Sequence, residues 1–153
     1  MSTTQENPST YAPGDDSALT RILATSAKAF KFEAPGDEVT GVIDSIVVRQ
    51  VRKFKTNVPV FWDDGRPQEQ IVVTIQTDLD EPDEDNPEDD GMRAVYIKSW
   101  GPQVREFRRG AKALHRLPRE GDTFTASFTG LSDEKDKTSG EPWKEFIFQV
   151  DRA

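Results

Sequence analysis

The stretch from 92 to 117, MRAVYIKSWGPQVREFRRGAKALHRL, contains the change of period on which the fold turns. In MRAVYIKSW, Val95 and Ile97 alternate with Ala94, Tyr96 and Lys98. That period of two belongs to a half-buried strand, with Val95 and Ile97 expected inside and Ala94, Tyr96 and Lys98 outside. Past Gly101 the period becomes helical. Val104, Phe107, Ala111 and Leu114 recur on one side of residues 102–117, and Pro102 suits the first helical position, where its missing N–H costs nothing. Gly110 weakens this helix by up to ~1 kcal/mol relative to alanine.

Two strand-like segments precede this stretch and two follow it. Pro35-Gly36-Asp37 is a turn signal before EVTGVIDSIVVRQV (38–51). Val39, Gly41 and Ile43 share one face there, but Ile46-Val47-Val48 breaks the alternation. The break predicts a bulge near Ser45 in a long bent strand shared by both halves of a barrel. A second turn, Asp64-Gly65-Arg66-Pro67, leads into EQIVVTIQT (69–77), with Ile71, Val73 and Ile75 inward and Val72, Thr74 and Gln76 outward. Gly121-Asp122 opens DTFTASFTG (122–130), whose Phe124, Ala126 and Phe128 alternate with threonine and serine. Residues 132–142 read as a charged hairpin loop, and WKEFIFQV (143–150) places Phe146, Phe148 and Val150 inside. Three strands, a helix and two strands is the order of the OB-fold. The fold class expected is therefore all-β with one helix, a five-stranded Greek-key barrel with the helix between strands three and four and plugging its end.

That domain is expected over residues 35–153, preceded by a polar segment, 1–34, that is mostly disordered. Within it SALTRILATSAKA (17–29) sets Leu19, Ile22 and Leu23 on one side; it forms a short helix or orders only against the barrel or a partner. A chain of 153 residues suits one domain with a real core. Cysteine is absent, which excludes disulfides and thiolate metal sites. A single histidine, His115, argues against histidine-based zinc sites and Ser-His or Cys-His nucleophilic chemistry, and is read as a surface residue. No apolar run reaches membrane-spanning length, and MSTTQENPST lacks the blocks of a signal peptide, so a soluble protein of the cytoplasm is expected.

The formal net charge of -8 conceals a partition. Residues 78–90, DLDEPDEDNPEDD, hold nine acids and no base, leaving +1 on the remainder. Residues 49–55 hold four bases and no acid, and 91–119 hold eight bases against Glu106 alone. The pattern is a basic module with an acidic insertion. The insertion does not fit an EF-hand loop: Pro82 and Pro87 interrupt it, and the turn glycine and spaced final glutamate are missing. Lying between the second and third strands, it is expected to stay mobile beside the basic face and to fold back on Arg52, Lys53, Lys55 and Arg93.

The candidate surface combines cations with flat side chains. Its cations are Arg49, Arg52, Lys53 and Lys55, followed by Arg93 and Lys98 on the third strand. Its aromatics are Phe54, Phe61, Trp62, Tyr96 and Trp100, with Trp143 a weaker candidate. Single-stranded nucleic acid asks for this pairing: cations neutralise phosphates and release counterions, while each stacked base contributes roughly 1–3 kcal/mol whatever its identity. The helix bases Arg105, Arg108, Arg109, Lys112 and Arg116 read instead as a solvated face, several of them suited to the helix C-terminus. Asp63-Asp64 bears no catalytic information, and no nucleophile–base pair or metal set is visible, so no enzyme activity and no cofactor are expected. An oligosaccharide ligand would use the same aromatics but few cations. The other alternative is a protein-interaction module, or a DNA mimic, acting through the acidic loop.

The stretch FWDDGRPQEQIVVTIQTD (61–78), with GDEVTGVI before it and GMRAVYIKSWG (91–101) after it, resembles a family of small single-stranded-DNA-binding proteins from phages of actinobacteria. The resemblance covers residues 30–117, and its most specific part is the Trp-Asp-Asp-Gly-Arg-Pro turn joined to the second strand. It implies an OB-fold, binding to displaced single strands during phage DNA replication or recombination, and residence in the host-cell cytoplasm. It also implies an N-terminal Ser-Ala-Leu segment, matched by Ser17-Ala18-Leu19. Single-stranded DNA, with RNA as the other ligand, replication or recombination proteins, and a second copy of the chain are the partners it suggests. Bacterial single-strand binders end in an acidic tail that recruits partners; here the acids lie between two strands, and the chain ends Val-Asp-Arg-Ala.

Overall fold

The structure, a computed structural model, describes residues 27–53, 55–85 and 87–153. Among them are six strands and one helix: β1 (Lys28–Ala29), β2 (Glu38–Gln50), β3 (Glu69–Gln76), β4 (Met92–Lys98), α1 (Gly101–Lys112), β5 (Thr123–Lys135) and β6 (Pro142–Asp151). The strands form one mixed sheet in the order β1-β4-β3-β2-β5-β6, antiparallel throughout except for the β1–β4 pair. The chain is thus mostly β, and each of the five expected strands begins within a residue of its expected position.

Two expectations need correction. Lys28 and Ala29, placed by the sequence at the end of a short helix, instead pair in parallel with Arg93 and Ala94. They make a sixth strand, so α1 falls between the fourth and fifth; residues 17–26 of that expected helix lie outside the described residues. Nor is the sheet a closed five-stranded barrel, because β1 and β6 are its two ends. The reason lies at the edge of β4, where closure would need free backbone groups. Residues 28 and 29 occupy part of that edge, and the Phe30 N–H donates to the Ala94 carbonyl at 3.0 Å. The Lys144 ammonium then donates to the Phe32 carbonyl at 2.8 Å, so residues 28–32 bridge β4 and β6 in place of strand pairing.

β2 is the strand that both halves share. Glu38–Val42 pair with β5 and Val42–Gln50 with β3, with a register shift between Ile43 and Ser45 where a bulge was expected. The core lies on the inner face, with Ile43, Val73, Ile75, Val95, Ile97, Phe124, Ala126, Phe148 and Val150 in one cluster. α1 packs onto it through Phe107, whose ring lies 6.1 Å from those of Phe124 and Phe148. Gly110 is explained by the same contact. A Cβ there would fall inside the Phe148 carbonyl oxygen and within 2.9 Å of its carbon, so the weakened helix is the condition for close packing on β6.

The helix ends at Lys112, earlier than expected, and the Leu114 and His115 N–H groups turn the chain by donating to Ala111 and Lys112. Arg116 is therefore not part of a solvated helix face. Its guanidinium grips the buried Asp122 carboxylate at 2.7 and 2.8 Å, and the Arg119 and Ala153 amides donate to the same group. The Arg116 hydrogen bonds, aided by those amides and against the effect of burial, hold the Asp122 carboxyl well below the usual carboxylate range. In the unfolded chain an aspartate titrates near ~3.9. The unfolded state therefore binds this proton at higher pH than the folded state, and the stability Asp122 contributes is present above about pH 4 and lost as pH falls below it. Asp122→Asn should melt lower than the parent at neutral pH and lose less of its melting temperature between about pH 6 and pH 3. Equal losses in the two proteins would contradict this account.

Among the described residues no helix is long and apolar enough to cross a membrane, and no group of three histidine, cysteine or acidic side chains is placed to hold a metal ion.

Candidate nucleic-acid interface

Cross-strand partners in a sheet point to the same face. On the outer face of β2, β3 and β4 the register sets Arg49, Gln70 and Lys98 in one row, Val47, Val72 and Tyr96 in the next, and Ser45, Thr74 and Ala94 in a third. Val72, Thr74 and Ala94 point to this face as expected but are buried in its centre, so what solvent reaches is the flanks. Arg49 is exposed on one side, and Tyr96, 43% exposed, on the other. Arg49, Gln50, Arg52, Gln70 and Tyr96 line a cleft of about 470 Å³ between them.

The basic segment continues off the end of β2 into a connection with its own backbone ladder. Arg52 bridges to Pro59 and Phe61 to Pro67, and the Val51 and Val60 amides donate to Gln68 and Val51. Lys53 and Asn57 then close the tip: the Lys53 N–H donates to Val58 and the Asn57 N–H to Lys53. Lys55 and Asn57 hold left-handed backbones, with φ of 74° and 59°. The Arg52 guanidinium donates to the Asn57 carbonyl at 3.0 Å, with no carboxylate on it among the described residues. Arg49 and Lys53 make no side-chain hydrogen bond or ion pair among the described residues. Phe54 lies outside the described residues.

The other two cations are not free to take a phosphate. Arg93, expected on the binding face, is 1% exposed and on the side of Val95 and Ile97, as the period of two requires. Its guanidinium meets Asp89 at 2.5 and 2.8 Å and Glu81 at 3.2 Å. Asp89 also accepts from the Glu81 and Gly91 amides, and Arg93, with those amides, holds its carboxyl well below the usual range. Lys28 adds an ion pair to Asp83 at 3.2 Å. The acidic insertion is therefore tied down over Arg93 and Lys28. It also lies at the wrong end of the sheet to reach the basic connection: it follows Gln76, while the basic segment precedes Glu69. Across the eight residues of β3 that separation is about 23 Å. Of the bases on which the loop was expected to fold back, Arg93 receives it, while Arg52 and Lys53 make no ion pair with it among the described residues.

Lys98 is half-buried, its ammonium 2.6 Å from an Asp136 oxygen and 5.3 and 5.7 Å from the ring centres of Trp143 and Trp100. Asp136 sits in the β5–β6 hairpin, 98% buried, and also accepts from the Trp100 indole at 3.2 Å and the Thr138 amide at 3.0 Å. Burial works to raise its carboxyl, but the hydrogen bonds from Lys98, Thr138 and Trp100 prevail and lower it. Trp62, Trp100 and Trp143 meet edge to face in a row, with centroids 5.1 and 6.4 Å apart. Gly101, with φ of 74°, makes room: a Cβ there would stand 2.5 Å from the Trp143 ring. The row joins the connection after β2, the start of α1 and the β5–β6 hairpin at the end of the sheet where the basic segment lies. Trp62 and Trp100 are half-buried and keep part of their rings accessible, whereas Trp143 is buried.

Of the expected site residues, Arg49, Arg52, Lys53, Lys55, Trp62, Tyr96, Lys98 and Trp100 thus gather at one end of the sheet, and Arg93 does not. Gln70 and Asp136 were missed. The alternation that sends Val72 outward extends to Gln70 and would have found it; nothing in the charged loop singles out Asp136. Comparison with protein-family models, curated proteins and solved structures finds no match in any of the three.

Proposed function

We propose that the chain is a non-catalytic, sequence-tolerant single-stranded-DNA-binding protein, built as an OB-type barrel left open along one seam and acting in phage DNA replication or recombination inside the host cell. The observation that supports this best is the register that brings Arg49 of β2 and Tyr96 of β4 to one face, with Arg52 and Lys53 extending the cations beyond the strand end. Basic residues scattered over both faces would have favoured the acidic-loop alternative; only Arg93 departs, and it is neutralised. Phosphates follow Arg49, Arg52 and Lys53, and bases stack on Tyr96 and the accessible part of Trp62. The interaction module or DNA mimic rests on Asp80, Glu84, Asp85 and Glu88, which are exposed on the pinned loop.

Titration with oligothymidine should quench tryptophan fluorescence, because Trp62 and Trp100 border the basic connection. With three cations engaged, the affinity should fall with salt at a log–log slope of about -2, each phosphate on a single strand adding roughly -0.7. The absence of both quenching and a gel shift at low salt would refute the reading. A salt-independent interaction would point away from phosphates.

A further inference from the structure

β4 and β6 run without pairing, and the seam between them opens into a cavity of about 560 Å³. Phe30, Phe32, Tyr96, Trp143 and Phe146 supply most of its apolar wall. Phe30 and Phe146 each stand edge-on to Phe32, at 4.7 and 4.9 Å, so the wall offers ring faces and edges to a flat guest. A cavity of this size and lining suits a small planar organic group held by a few polar contacts.

Two further observations say which group. Of the three cations at the wall two are already engaged: Lys98 on Asp136, and Lys144 on the Phe32 carbonyl and over the Phe128 ring at 5.5 Å, while the exposed Lys31 makes no side-chain hydrogen bond or ion pair among the described residues. A phosphate or carboxylate would meet three acids at the wall, Glu33, Asp136 and Glu141, with Lys31 the one cation there that is not already engaged among the described residues, whereas an uncharged ring system meets no such barrier. Gln70 and Tyr96 line both this cavity and the basic cleft that holds Arg49 and Arg52. The Gln70 amide makes no hydrogen bond among the described residues, leaving a donor and an acceptor at the opening.

We propose that the seam cavity receives nucleobases, in a site of two compartments. Phosphates of a single strand lie in the cleft of Arg49 and Arg52, and bases turn past Tyr96 and the Gln70 amide to stack against Phe30 and Phe146, beside the buried Trp143. The open seam is then the base-binding compartment. This inference rests on the single-strand reading above and adds where the bases go.

The test uses the full chain, with side-chain ¹⁵N signals followed by NMR during titration with oligothymidine and, separately, with an abasic deoxyribose-phosphate oligomer of equal length. The Trp143 indole and Gln70 amide signals should shift with oligothymidine and stay in place with the abasic oligomer, while the Arg49 and Arg52 Nε–H signals shift with both. If the arginines move but Trp143 and Gln70 ignore oligothymidine, the strand passes over the cavity: this inference fails and the single-strand reading stands. Shifts of Trp143 and Gln70 equal in size with both oligomers would make the cavity a phosphate site and overturn it as well. If no signal moves with either oligomer, the single-strand reading itself fails and takes this one with it.

Discussion

Gly41→Val should leave no cooperatively folded protein, and Gly41→Ala should lower the melting temperature by on the order of 10 °C. Gly41 is buried on β2, paired with Phe124 on β5, one residue before Val42, where the strand passes from β5 to β3. At that crossing the last residue of β3 comes close. A Cβ on residue 41 would overlap the Gln76 carbonyl oxygen, stand 2.9 Å from its carbon and 3.1 Å from the Ile75 Cβ. The obstructing atoms are backbone, so no rotamer change can clear them. Replacing a strand glycine by alanine ordinarily gains ~0.5–1 kcal/mol. Overpacking a filled interior costs roughly 1–3 kcal/mol, with rigid backbone contacts at the upper end, so the clash prevails for alanine. Valine adds two methyl groups to the same space. Thermal unfolding followed by circular dichroism decides the matter: an alanine variant that melts at or above the parent would show that β2 and β3 are not this close.

The strands were legible because each leaves its period in the chain. Phe124, Ala126 and Phe128 are buried by alternation alone, and the break at Ile46-Val47-Val48 located the bulge. What periodicity cannot show is an edge. Lys28 and Ala29 make a two-residue strand whose partner lies more than sixty residues away, and a pair so short has no pattern of its own. That small strand, with the Phe30 amide, is what occupies the β4 edge, and the Phe32 carbonyl takes Lys144 of β6 on the other side of the open seam. Gly110 taught the opposite lesson. Its local cost to the helix was readable, but the Phe148 carbonyl that requires it was not.

The site divides in the same way. Arg49 and Tyr96 reach one face because the register of β2, β3 and β4 follows from their alternation and from the length of the connections. The charge of Arg93 suggests the binding face but its phase does not: it shares the parity of Val95 and Ile97, and a buried arginine needs carboxylates, which the acidic insertion provides. Lys98 had the correct phase. Its partner Asp136 lies 38 residues on, in a loop of mixed charge where no single acid stands out.

Changing Arg49 and Arg52 together to glutamate should weaken oligothymidine binding on the order of 100-fold at low salt, an effect that shrinks as salt rises. Among the described residues neither side chain has a carboxylate partner, so the substitutions remove two charges available to phosphate and add two that repel it. Replacing residues 79–90 by a Gly-Ser linker should, by contrast, leave the affinity unchanged at every salt concentration. The insertion holds most of the acids of its segment, yet it leaves the far end of β3, about 23 Å from the basic connection, against a Debye length of ~8 Å at physiological salt. Its loss falls on stability instead. Without Asp89 and Glu81 the Arg93 guanidinium stays buried and unpaired, one of the more damaging states a folded chain can hold. The linker variant should therefore melt well below the parent while its folded fraction binds as the parent does. Fluorescence titrations at low and high salt, paired with melting curves, separate the two effects. Tighter binding by the linker variant at low salt, converging with the parent at high salt, would mean that the acidic loop reaches the basic face after all.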